Sequence, residues 1–240
     1  MLTWIARRNV HLKNRQPLVS FTFDDFPRTA LSTGGRILED FGARGTYYTA
    51  MGLAGTTNFL GEHFVAEDLH ELSAKGHELA SHTLHHVSAR DVAQRRFRAE
   101  ASEGWEAIRT IPGLSPSRNF AYPFGTTNPI LKKHIGATMS SCRGNFSGLN
   151  TAVTDLNLLR GNALYGDLRS LDRVKQLLEE NKRANGWLIF YTHDVRENPS
   201  AFGCTPGLMQ ETLKLVVKQG CKVVRIQDVV EEAAPAGQQA

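Results

Sequence analysis

The chain has 240 residues, 41% of them hydrophobic and 22% charged, with a net charge of +4. That balance describes a globular protein long enough to bury a core without disulfide or metal support. Its basic residues are scattered, with short clusters at Arg7-Arg8 and Arg95-Arg96-Arg98. No zinc finger, basic region or RNA-binding aromatic signature accompanies them, which argues against nucleic acid as a partner.

Residues 1–16 read as an amino-terminal extension. No apolar run there is long enough for a signal peptide, and no segment approaches the roughly 20 apolar residues of a membrane helix. The expectation is a soluble, cytoplasmic protein. A strand follows at 17–24, where Val19, Phe21 and Phe23 alternate with Ser20 and Thr22 before Asp24 and Asp25. Further strands are predicted at 45–50, 77–83, 118–122, 137–142, 187–193 and 221–226. Helical spacing of apolar residues recurs over 89–109, with Phe97, Ala101, Trp105 and Ile108, and over 168–180, with Leu168, Leu171, Val174 and Leu178. The helix at 206–219 has Thr205 as its cap, Pro206 at its first position, an apolar stripe of Met209, Leu213, Val216 and Val217, and Gly220 beyond its end. Three cysteines without regular spacing describe no disulfide framework. Reduced, partly buried thiols are expected, with a Cys142–Cys204 bridge as the alternative. Residues 233–240 read as a flexible tail.

Strands alternating with helices predict a single α/β domain over 17–232, either a barrel or a doubly wound sheet. In both, reactive groups gather at the carboxyl ends of the parallel strands. Four predicted strand ends carry such groups: Asp24-Asp25, the run His82-Thr-Leu-His-His86, Tyr122-Pro-Phe-Gly, and His193-Asp194. A spacing of four places His82 and His86 on one face of a helical turn, where both reach one ion. Two imidazoles with one carboxylate form a three-ligand set that leaves a fourth position open, the mark of a catalytic zinc site. A bend at Phe26-Pro27 lets both aspartates lean toward one pocket, one as ligand and the other as base. Without an ion, the pair would be turn chemistry before Pro27. His193 emerges from an apolar strand at the same end, where it suits a general acid better than a core histidine.

These residues resemble the motifs of the polysaccharide deacetylase family, carbohydrate esterase family 4. Thr22-Phe23-Asp24-Asp25 is similar to its first motif, His82-Thr83-Leu84-His85-His86 to its second, Pro123-Phe124-Gly125 to the end of its third, and His193 to its fifth. The resemblance spans residues 17 to about 226 in family order. It implies a distorted (β/α) barrel of about seven parallel strands, which uses a divalent metal, zinc being expected, to hydrolyse N-acetyl groups of carbohydrates. Carried across, it makes Asp24 the base, Asp25, His82 and His86 the metal ligands, the Phe124 backbone N–H an oxyanion donor and His193 the acid. A carboxylate is expected beside His193, with Asp155 and Asp172 as candidates.

Three departures stand out. The arginine of the third motif is replaced by Ala121, so Arg143 or Arg160 is expected to reach the base from a neighbouring strand end. The glycine after Asp-Asp is Phe26, which with Tyr122 and Phe124 forms either a sugar-stacking wall or part of the core. The fourth motif, with Asp and Trp, has no counterpart. Two alternatives therefore stand beside N-deacetylation: hydrolysis of another small amide, and a non-catalytic carbohydrate-binding pseudoenzyme.

Overall fold

A computed structural model describes residues 4–233. Its centre is a sheet of parallel strands: β1 Leu18–Asp24, β2 Thr46–Thr49, β3 Glu78–Ser81, β4 Asn119–Ala121, β5 Ser141–Arg143, β6 Asn162–Ala163, β7 Trp187–Thr192 and β8 Lys222–Val223. Seven of them lie in the order β6-β7-β1-β2-β3-β4-β5. β8 pairs with the start of β1, at Leu18 and Val19, while β2 pairs with its end, from Thr22 to Asp24. The sheet curls into a distorted barrel, and its ends approach through the segment leading into β6. Leu159 bridges to Arg143 of β5, and Asn162 pairs with Phe190 of β7.

Helices α1 Arg36–Asp40, α2 Ala66–Ala74, α3 Gln94–Arg109, α4 Pro129–Thr138, α5 Leu171–Ala184, α6 Pro206–Lys218 and α7 Ile226–Ala233 surround the sheet. Alternation along β1 sets its two faces. Val19, Phe21 and Phe23 join the large cluster that includes Leu178 of α5 and Leu213 of α6. Leu18, on the opposite face, packs in the barrel interior with Tyr48, Ala80, Ala121, Trp187 and Ile189. Asp24 shares that inner face and stands at its carboxyl end.

The expected strands and helices recur with shifted bounds. Residues 137–142 are not one strand: α4 runs to Thr138 and β5 begins at Ser141. α4 itself starts on Pro129, capped by the Asn128 side chain, which accepts from the Ile130 and Leu131 N–H groups. Thr205 caps α6 through the Leu208 N–H, as expected, but Val217 of the proposed stripe is exposed. The predicted 168–180 helix splits into a 3-10 turn at Leu168–Ser170 and α5. The extension is tied down, since Asn9–His11 pairs antiparallel with Val153–Asp155. Cys142, Cys204 and Cys221 are buried free thiols. Among the described residues, no helix is long and apolar enough to cross a membrane. Residues 234–240, most of the expected tail, lie outside those described.

Candidate active site

β1 ends in two consecutive left-handed residues, Asp25 at φ 63° and Phe26 at φ 61°. Each costs an L-residue roughly 1–2 kcal/mol. The bend breaks strand alternation, so Asp25 turns to the same end of the barrel as Asp24. Its Oδ1 lies 3.1 Å from His86 Nε2 and 3.5 Å from His82 Nε2. Tetrahedral ligands about 2.1 Å from a shared ion stand roughly 3.4 Å apart, so the spacing fits.

The two histidines reach this point from a loop, not from the helical turn that their spacing predicted. Thr83 at φ 64° and His86 at φ 53° bend it back on itself. α3 holds the loop from behind. The Glu100 carboxylate accepts from the His85 N–H at 2.9 Å, and the Glu100 carbonyl from the Leu84 N–H at 3.0 Å. Gly104 lies so close that a Cβ there would sit 2.5 Å from the Thr83 backbone. His82 Nδ1 donates to the Ala121 carbonyl at 2.7 Å, which leaves Nε2 as the lone pair facing Asp25.

Asp25, His82 and His86 form one group of metal-competent side chains, with ligand atoms within 4.8 Å of one another. Burial, chiefly, holds both imidazoles neutral, lowering His82 to about 4 and His86 to about 3. Burial and the neighbouring Asp24 charge push Asp25 up to about 8. Asp25 Oδ1 is buried and has no hydrogen-bond partner. An acceptor left unmatched beside two neutral nitrogens is a costly arrangement in a protein interior, and a divalent cation resolves it. The donor set therefore fits such an ion.

Asp24 has a different partner. Arg143 Nη2 lies 2.5 Å from both of its carboxylate oxygens. The guanidinium sits between the rings of Tyr48 and Tyr191, at 5.1 and 4.9 Å. Burial opposes ionisation of Asp24, but Arg143, His82 and His193 together outweigh it and hold the carboxyl below its usual value. Ala121 and Arg143 are direct neighbours across the β4–β5 ladder, so the adjacent strand supplies the arginine that Ala121 lacks. Arg160 does not reach the site: its side chain is bound to the Ser147 carbonyl.

His193, just past β7, is half-buried. Its Nδ1 donates to the Phe202 carbonyl at 3.1 Å, and burial shifts the imidazole down. Neither candidate carboxylate stands beside it. Asp155 pairs with Lys132 in the core, and Asp172 pairs with Lys175 on the surface. For Phe26 and Tyr122 the core alternative holds and the wall alternative does not. Both are fully buried, Phe26 stacked on Phe64 and Tyr122 beside Phe97 and Phe120, so neither offers a face to a sugar. Phe124 is 60% exposed, lies against His86 at 4.6 Å between ring centres, and has a left-handed backbone at φ 57°. Glu100, Gly104 and Phe202 escaped the sequence reading, because their contribution passes through backbone contacts that no residue type announces.

Residues 11–138 match the polysaccharide deacetylase family model, more than half of the chain, and the chain belongs to that family. No curated protein matches it in sequence. Among solved structures it is similar to a chitin deacetylase from the fungal pathogen Colletotrichum lindemuthianum, at 17% identity and TM-score 0.63, covering 97% of this chain and 95% of that one. The CE4 domain of a multidomain xylanase from the hindgut metagenome of Trinervitermes trinervoides gives 18% identity and TM-score 0.58, with 91% of each chain covered. A mutant of BA3943, described as a CE4 family pseudoenzyme, gives 14% identity and TM-score 0.56, covering 91% of this chain and 68% of that one.

Proposed function

We propose that the protein is a metal-dependent hydrolase that removes N-acetyl groups from an N-acetylated carbohydrate, with zinc as the expected ion. One observation carries this reading: the unpartnered Asp25 carboxylate meets His82 and His86 beside a second, ionised aspartate. A divalent ion held by those three residues would supply Lewis acidity, activating a water and polarising the amide carbonyl.

The remaining roles belong to the chain. Asp24, kept ionised by Arg143, takes the proton of the attacking water. The Phe124 backbone N–H donates to the oxygen on which negative charge develops, a contribution of roughly 3–4 kcal/mol where such donors are removed. His193, with Nδ1 committed to Phe202, carries its transferable proton on Nε2 and delivers it to the departing amine. Its lowered pKa makes it a readier donor and leaves less of it charged at neutral pH. The exposed Phe124 ring is one aromatic surface available for a sugar face at this mouth.

The pseudoenzyme alternative drew its force from Ala121, and the Arg143–Asp24 pair removes that ground. Acetate release from N-acetylglucosamine oligomers tests the proposal, with and without chelator, in wild type and Asp24→Asn. Release that is lost with chelator and in the variant is expected. Sugar binding without release from either protein would return the pseudoenzyme reading. Release from small formyl or cyclic amides alone would favour the other hydrolase.

A further inference from the structure

The acid proposed above leans on a neutral group. The Phe202 carbonyl accepts from His193 Nδ1 at 3.1 Å and also from the His193 backbone N–H at 3.1 Å. A carboxylate would orient an imidazole by charge, whereas a carbonyl does so only if the segment carrying it is rigid. That segment is exposed: Glu197 and Asn198 face solvent and Phe202 is 44% exposed.

One buried side chain fixes it. Asp194 is wholly inaccessible, and its Oδ1 accepts from the Ser200 hydroxyl at 2.5 Å. Its Oδ2 accepts from the Ser200 N–H at 2.9 Å and forms an ion pair with Arg196 Nε at 2.7 Å. The Ser200 hydroxyl oxygen in turn accepts from the Phe202 N–H at 3.1 Å. The contacts thus run unbroken from the Asp194 carboxylate through Ser200 and the Phe202 peptide to the imidazole. Gly203 is pressed against this carboxylate, and a Cβ there would sit 2.4 Å from Asp194 Oδ1. The Phe202 ring also lies beside the His193 ring, at 5.7 Å between centres, so the same residue restrains the imidazole by contact and by hydrogen bond.

We infer that Asp194 and Ser200 are positioning residues for His193, a buried carboxylate and a hydroxyl that act through the Phe202 peptide to set the tautomer and direction of the imidazole. The inference rests on His193 being the acid. It predicts a defect confined to poor leaving groups, because an activated ester departs without a proton.

The test compares Ser200→Ala, Ser200→Thr, Asp194→Asn and, as reference, His193→Ala. Each is assayed on N-acetylglucosamine oligomers and on an activated phenyl acetate, alongside nitrogen-15 NMR of His193 in the metal-loaded protein. Ser200→Ala is expected to lose about tenfold or more in kcat on the amide with ester turnover and KM nearly unchanged, the scale of a misaligned proton donor. Ser200→Thr, which keeps the hydroxyl, should restore the amide rate. In Ser200→Ala the Nδ1–H signal should shift toward a mixture of tautomers.

If His193→Ala collapses the amide-to-ester ratio while Ser200→Ala and Asp194→Asn keep it, positioning is overturned and the acid stands. If His193→Ala keeps the ratio, the acid reading falls. An Nδ1–H signal unchanged in Ser200→Ala then overturns the positioning as well. Should Asp194→Asn fail to fold, Ser200→Ala alone decides.

Discussion

At the residue scale, the decisive contact joins Asp24 to Arg143. Arg143 is fully buried, so its charge acts on Asp24 with little screening. Replacing it by methionine leaves Asp24 buried without its main cation, and its pKa rises. The proposed base then ionises at higher pH, so the acid limb of kcat/KM should move upward by about one unit or more. Removing one partner of a buried pair should also cost roughly 3–5 kcal/mol, measured by urea denaturation. An acid limb that stays in place would dissociate Arg143 from the proposed base. The aspartates and histidines were legible in the sequence because contiguous motifs hold them. Arg143 could be read only as a guess from strand order, since its nearness to Asp24 depends on the register that sets it beside Ala121. Phe26 stayed open between wall and core for the opposite reason: next to Asp25 in sequence, it is swung into the core by its left-handed backbone.

At the scale of elements, that same turn gives an ordered prediction. Phe26→Gly relieves roughly 1 kcal/mol of left-handed strain but deletes a ring packed on Phe64 and Tyr47, a loss of about 3–5 kcal/mol. Phe26→Ala loses the ring and keeps the strain. Stability should therefore fall in the order wild type, glycine, alanine, and an alanine variant as stable as the glycine one would refute the strain. α3 gives another prediction. Gly104→Ala should favour the isolated helix by up to about 1 kcal/mol, yet the added Cβ meets the backbone at Thr83 and Leu84. Pushing that loop separates His82 and His86 from Asp25, so metal affinity should fall about tenfold or more by competition with a chelator. Unchanged affinity would show that α3 does not brace the histidine loop. The sequence misjudged this element because a four-residue spacing suits a helical turn and a doubly bent loop alike. β6 escaped notice because two residues carry no periodicity, and α4 because its boundary with β5 fell inside residues 137–142, which read as one strand.

At the scale of the whole molecule, the core and the site respond differently to pH. The core clusters are apolar and extend well beyond the three ligand residues, so the barrel should stay folded without an ion. The site then adds its own pH dependence. In the unfolded chain the imidazoles titrate near 6.5, whereas in the fold His82 and His86 resist protonation until about 4 and about 3. The unfolded state thus binds more protons below pH 6.5, and stability is lost on acidification. Asp25 has the opposite sign. Its native value of about 8 lies above the unfolded 3.8, so between these limits the native state keeps a proton that the unfolded state has lost. Of the three groups, Asp25 alone distinguishes the two states between pH 6.5 and 8. The chelated protein should therefore lose stability across that window, by up to about 1.4 kcal/mol per pH unit. A divalent cation needs Asp25 ionised, so the stability added by zinc should grow across the same window. Urea denaturation at several pH values, with chelator or with zinc, separates the two trends. Asp25→Asn should flatten the decline in the chelated protein, and a decline that persists in that variant would place the responsible proton elsewhere than at the proposed metal centre.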